Sequence, residues 1–189
     1  ANLVAPAYDN EQAEAAMDFQ LSEHQHELQA AARKFARAEM PAIADMCEDT
    51  GHPPGRDVLR RLGEMGFLGV NIPENLGGLG LGNLEALLVL EEFAQISSAS
   101  AFPLFEANVG PVHAIVHFAS EALQRKIVPE VCRGNMVLAV SMSEPQAGSA
   151  LTDLTTRGAV ADGKVVLNGQ KRWCLSLIHI SEPTRRTTI

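Results

Sequence analysis

At 189 residues, with 46% hydrophobic and 20% charged residues, the chain is long enough for one domain and part of another and lies far from compositions that stay unfolded. Its net charge of −8 is spread out, with basic residues grouped only in short pairs such as Arg60-Arg61 and Arg185-Arg186, which excludes the electrostatic footprint of a nucleic-acid binder. Cys47, Cys132 and Cys174 are scattered without a CxxC pair, which argues against a disulfide framework or zinc ribbon and for a reducing, cytoplasmic setting, and no apolar run approaches the roughly 18 residues of a membrane span.

Residues 1–16 are alanine-rich and acidic, start without methionine and carry neither the basic nor the apolar region of a secretory leader, so they read as a loose extension. Ser22-Glu23-His24-Gln25 fits a capping box, predicting a helix whose apolar face is Leu28, Ala31, Ala32, Phe35 and Ala38 and which Pro41 disturbs. After the break at His52-Pro53-Pro54-Gly55, Val58, Leu59 and Leu62 predict a short helix ending near Gly66. The stretch from Ile72 to Gly82 holds too many helix breakers for regular structure and reads as a loop. A helix over 83–95 follows, with Leu84, Leu87, Leu88 and Phe93 as expected core positions. Two further helices are expected over 103–119, opening after Pro103 or Pro111, and over 121–133, closed by Gly134.

From Met136 the texture changes. Val137-Leu138-Ala139-Val140 reads as a strand, and the turn signals Asp162-Gly163 and Asn168-Gly169 separate expected strands at 155–161, 164–168 and 170–174. Helix and strand are segregated rather than alternating, which makes the fold class α+β: an all-α bundle over 17–135 and then the first strands of a β-domain over 136–174.

Several candidate sites have ordinary structural explanations. His113 and His117 stand at i and i+4 on one helical face, a spacing able to bind zinc, but no third ligand and no glutamate of the zinc-protease motif accompany them; His24 and His26 read the same way. Gly78-Leu79-Gly80-Leu81-Gly82 lacks the strand and acidic residue that a dinucleotide fingerprint requires, so it reads as an interhelical loop. The small residues Ala147, Gly148 and Ser149 after Ser143-Glu144-Pro145-Gln146 let backbone amides approach an anionic or carbonyl-bearing ligand, although a plain strand-to-loop turn uses the same residues. Trp173 suits either a core position or stacking on a flat ring.

Taken in order, Met17 to Gln25, Gly66 to Glu74, Gly77 to Leu81, Glu91-Glu92, the run Val140-Ser141-Met142-Ser143-Glu144-Pro145-Gln146-Ala147-Gly148-Ser149, Asp162-Gly163 and Leu167 to Trp173 resemble the acyl-CoA dehydrogenase family. The resemblance implies an N-terminal helical domain, a β-barrel-like middle domain and a C-terminal helical domain that the chain lacks. It implies FAD as cofactor, lined by Val140, Ser141, Met142, Ser143, Gly148, Ser149 and Trp173, with Ser149 also serving the acyl thioester. The implied reaction is α,β-dehydrogenation of an acyl-CoA to a trans-2-enoyl-CoA in fatty acid metabolism, with electrons passing from FAD to an electron-transfer flavoprotein and the protein a homotetramer or homodimer. The base belongs to the missing domain, so no catalytic residue is assigned, and the chain alone is expected to be inactive. Flavin monooxygenases and nitroalkane oxidases share the fold, and a non-catalytic partner subunit is a further alternative. Ala150 stands where the family commonly has aspartate, Ser143 replaces a frequent threonine, and Cys174-Leu175-Ser176 departs from the usual Ile-Thr-Asn. Residues 175–189 resemble a translated sequencing adapter and are expected to be an artefact.

Overall fold

The computed structural model describes residues 19–173, so the readings of 1–16 as an extension and of 175–189 as an adapter lie outside the described residues, as does Cys174 at the end of the expected third strand. Helix α1 spans Glu23–Thr50. It starts at the expected capping box: Ser22 Oγ accepts from the Gln25 amide, and the Gln25 side chain accepts in return from the Ser22 amide. Contrary to expectation, α1 runs through Pro41 and ends at Gly51 in left-handed conformation. Proline costs one helical hydrogen bond, but Ala32, Ala36, Met40, Ala44 and Cys47 form one continuous buried stripe across it, and that burial keeps the helix going. The buried face is rotated relative to the reading, leaving Ala31 and Ala38 exposed.

Helix α2, Arg56–Glu64, buries Leu59 and Leu62. The following loop contains one 3-10 turn, Glu74–Leu76, and folds back on itself: Leu79 N donates to Gly69 O, Gly80 N to Ile72 O and Leu81 N to Val70 O. A Cβ at Gly78 would run into the carbonyls of Ile72 and Gly69, which explains a glycine there without a nucleotide.

Helix α3, Asn83–Ala94, buries Ala86, Leu88, Val89, Glu92 and Phe93, while Leu84 and Leu87 are about half exposed, against expectation. This helix is apolar nearly all round, so periodicity leaves its inward face undetermined. Helix α4, Ser98–Asn108, opens upstream of the expected start because Ser97 caps it, and it carries Pro103 inside; α5 is Val112–Phe118, and α6 is Glu121–Cys132, capped by Ser120. Helix α1 packs on α3 and α4, and Phe35, Phe67 and Phe93 meet at centroid distances of 5.3 to 6.1 Å in the core beside Met40, Leu62, Val89 and Leu104.

Two residues dominate the polar interior. Asn108 is wholly buried; its Oδ1 accepts from the amides of Gly69 (2.8 Å) and Val70 (2.7 Å), and its Nδ2 donates to Phe67 O (2.9 Å). Glu92, 2% exposed, takes a two-pronged bond from Arg33 of α1, Nε at 2.9 Å and Nη2 at 2.8 Å.

Beyond α6 the regular structure among the described residues is one 3-10 turn, Leu151–Asp153, and an antiparallel pair, β1 Arg157–Ala161 and β2 Lys164–Asn168. Asp162 and Gly163 between the two strands have φ of 52° and 70°, the double left-handed turn that the Asp-Gly pair announces. Residues 137–140 and 170–173 are not strands: a ladder needs successive bonds to a partner, and the backbone bond that 170–173 make to this part of the chain is Arg172 N to Ser143 O, beyond Val140.

Candidate functional site

Gly134, with φ of 72°, stops α6, and the amides of Asn135 and Met136 both return to Glu130 O. The chain then runs out through 137–143. Burial alternates along its end: Val140 and Met142 are the more exposed, Ser141 and Ser143 the partly covered residues, the mark of an extended segment with two unlike faces. A tight reversal follows, in which Glu144 N donates to Ala147 O (2.8 Å) and Ala147 N to Glu144 O (3.2 Å), burying Ala147. Gly148 and Ser149 stand exposed beyond the reversal, and Ser149 O accepts from Leu151 N.

The Glu144 side chain is the hub of the region and is 4% exposed. Its Oε2 accepts from Thr155 N (2.7 Å), Thr155 Oγ1 (2.9 Å) and Gln146 Nε2 (2.7 Å); its Oε1 accepts from Thr156 N (3.0 Å) and Lys171 Nζ (3.0 Å). The Thr156 hydroxyl, the Thr155 amide, Lys171 and the Thr156 amide hold this carboxyl far below the usual range against the opposing cost of desolvation. Thr156 Oγ1 makes no bond of standard geometry, so the amides and Lys171 carry the attachment. A carboxylate with both oxygens engaged by donors is a poor general base.

Lys171 Nζ also donates to Met142 O at 2.9 Å, and Arg172 N donates to Ser143 O at 2.8 Å. The fold thereby ties Met142 and Ser143 to Lys171 and Arg172, some thirty residues apart in sequence; Trp173, which follows, is 84% exposed. Sequence reasoning singled out both segments but missed the Glu144–Lys171 pair that joins them, because nothing local to Glu144 announces Thr155, Thr156 or Lys171 as its partners.

The other candidates resolve as structure. The rings of His113 and His117 stack at 5.4 Å, and His113 Nε2 donates to Asn108 O at 2.6 Å. No group of three or more His, Cys, Asp or Glu able to hold a metal occurs among the described residues. Burial pushes the Cys132 thiol up to about 11, which removes it as a nucleophile. No helix among the described residues is long and apolar enough to cross a membrane.

Comparison with known proteins matches residues 22–135 to the acyl-CoA dehydrogenase N-terminal domain. A glutaryl-CoA dehydrogenase of Desulfococcus multivorans is 35% identical over 159 residues, covering 83% of this chain and 41% of the relative. A 3-sulfinopropanoyl-CoA desulfinase of Variovorax paradoxus is 33% identical, over 82% of this chain and 38% of the relative. An acyl-CoA dehydrogenase from Bacillus anthracis, solved in complex with FAD, superposes with a TM-score of 0.72 at 26% identity, over 82% of this chain and 27% of that one. The chain thus spans about two fifths of the length of the curated relatives it matches.

Proposed function

The chain belongs to the acyl-CoA dehydrogenase family, and from that premise we propose that it is the N-terminal part of an FAD-dependent enzyme that dehydrogenates a short acyl-CoA thioester at its α,β-bond. One observation carries the flavin reading: Met142 and Ser143, at the end of the strip Val140–Ser143, are bonded to Lys171 and Arg172, the two residues before Trp173. The strip carries exposed apolar side chains and hydroxyls, and the tail ends in an exposed indole, a set that fits a flat ring with apolar faces and polar edges. Bound FAD supplies the hydride acceptor.

In this reading Val140 and Met142 cover the ring, Ser141 and Ser143 with the local backbone bond its polar edge, and Trp173 lies alongside it. Gly148 and Ser149, free of side-chain bulk, let backbone amides and a hydroxyl reach the flavin or the thioester carbonyl. No carboxylate here acts as base, since Glu144 is taken up by its donors; the base comes from outside these residues. The boundary between helical and flavin-binding regions falls at 135/136. Both curated relatives are named for CoA thioesters of short acids with a second acidic terminus, which supports a substrate of that class. The desulfinase relative favours a second reading, hydrolytic cleavage of the C–S bond of a sulfinate-bearing thioester, which releases sulfite. A cytoplasmic homo-oligomer handing electrons to an electron-transfer flavoprotein completes the proposal.

The test uses the full-length gene product: flavin titration of the apoprotein, then anaerobic addition of glutaryl-CoA. Bleaching of the flavin with enoyl product supports dehydrogenation; sulfite and propanoyl-CoA formed from 3-sulfinopropanoyl-CoA and water, without bleaching, support the second reading. Absence of flavin affinity defeats both.

A further inference from the structure

We propose that Glu144 and Lys171 are positioning residues for the flavin, a pair that fixes the spacing between the Val140–Ser143 strip and Trp173; this rests on the flavin reading above. Three groups of donors converge on one buried carboxylate: Gln146 of the local reversal, the amides at 155 and 156, and Lys171, twenty-seven residues on. Both oxygens are engaged, so the carboxylate cannot turn without breaking several bonds at once. Lys171 has a distinct place in this cluster. Its ammonium bridges Glu144 Oε1 and the backbone carbonyl of Met142, a member of the strip itself, and its next neighbour bonds the Ser143 carbonyl. Two adjacent residues thus fasten two adjacent carbonyls of the strip, and Trp173 follows directly.

A divided role follows for the pair. Glu144 keeps four other donors when Lys171 is removed, so the reversal and the attachment at 155–156 persist. Removing Lys171 takes away the side-chain bond from the tail to the Met142 carbonyl and leaves the backbone bond from Arg172 to Ser143 to hold the strip against the tail. The helical core takes no buried residue from 139 onward, so its stability does not depend on this pair. Lys171 therefore acts on the distance across the strip rather than on whether the chain folds.

The experiment is Lys171→Met, Lys171→Arg and Glu144→Gln in the full-length gene product, read by flavin titration of the apoprotein and by amide hydrogen exchange of the flavin-free protein. Lys171→Met should weaken flavin binding by about tenfold or more, the usual consequence of losing a charged hydrogen bond. The Arg172 amide should exchange faster while helical melting stays unchanged. Lys171→Arg keeps charge and donors and should restore affinity to within about threefold. Glu144→Gln, of the same shape, should also speed exchange at Thr155 and Thr156. A Lys171→Met protein that binds flavin as the wild type does, or that loses flavin only together with a lower helical melting temperature, overturns the assignment while leaving the flavin reading intact. A wild-type protein without flavin affinity overturns both.

Discussion

Replacing Asn108 by alanine should be among the most damaging single changes in the helical part of the molecule. The carboxamide is the partner of two buried backbone amides, Gly69 and Val70, and of the Phe67 carbonyl, all in the turn that follows α2. Truncation strands three buried polar groups at about 1 to 3 kcal/mol each; with some relief from water entering the vacated space, the expected loss is about 3 to 6 kcal/mol. Against a typical total of about 5 to 15 kcal/mol, this is a large share. Asn108→Asp keeps both acceptances but sets a buried carboxylate oxygen against the Phe67 carbonyl, acceptor against acceptor, so at neutral pH it should be strongly destabilising as well. The assay is urea denaturation of the 189-residue chain followed by far-UV circular dichroism, with the midpoint shift converted through the m-value. A loss below about 1 kcal/mol for Asn108→Ala would refute the claim that this side chain holds the turn, because even one stranded amide should exceed it.

Other expectations concern glycines, acid and the chain's far end. Gly78→Ala should cost about 1 to 3 kcal/mol because its Cβ meets two backbone carbonyls. Gly148→Ala meets nothing and should stay within about 0.5 kcal/mol, yet it should weaken flavin binding if that loop lies against the cofactor; urea midpoints and flavin titration separate the two effects. Three carboxyls are held below their ordinary range, Glu85 by the Gln25 side chain, Glu92 by Arg33 and Glu144 by its ring of donors. Since the folded values lie below the unfolded ones, their stabilisation is present above about pH 4.3 and lost as pH falls toward the folded values. Urea midpoints should therefore drop steadily below pH 4, and a flat profile there contradicts the assignment. Resequencing the source DNA across the codons for Trp173 to Arg186 should give a different reading for residues 175–189; an unchanged reading contradicts the adapter resemblance.

What could be read in the sequence is what has a local cause. The Ser22–Gln25 box, the Asp162-Gly163 reversal and the stop at Gly134 each depend on residues within four positions of one another, and each stands where expected. What could not be read depends on distant partners. Helix α1 crosses Pro41 because its buried stripe continues on the far side, and Leu84 and Leu87 face outward because of where α1 and α4 lie, not because of their own hydrophobicity. Asn108 finds its partners about forty residues upstream, and Glu144 finds Lys171 twenty-seven residues on. In the candidate site the two lining segments were legible as types of residue; the buried pair that joins them was not.

The central claim, that these residues form part of a flavin site, is tested most directly by the visible absorption spectrum of the purified full-length gene product. The account predicts a bound, near-stoichiometric flavin that is bleached anaerobically by a short acyl-CoA. A colourless protein that takes up no FAD on titration would contradict it.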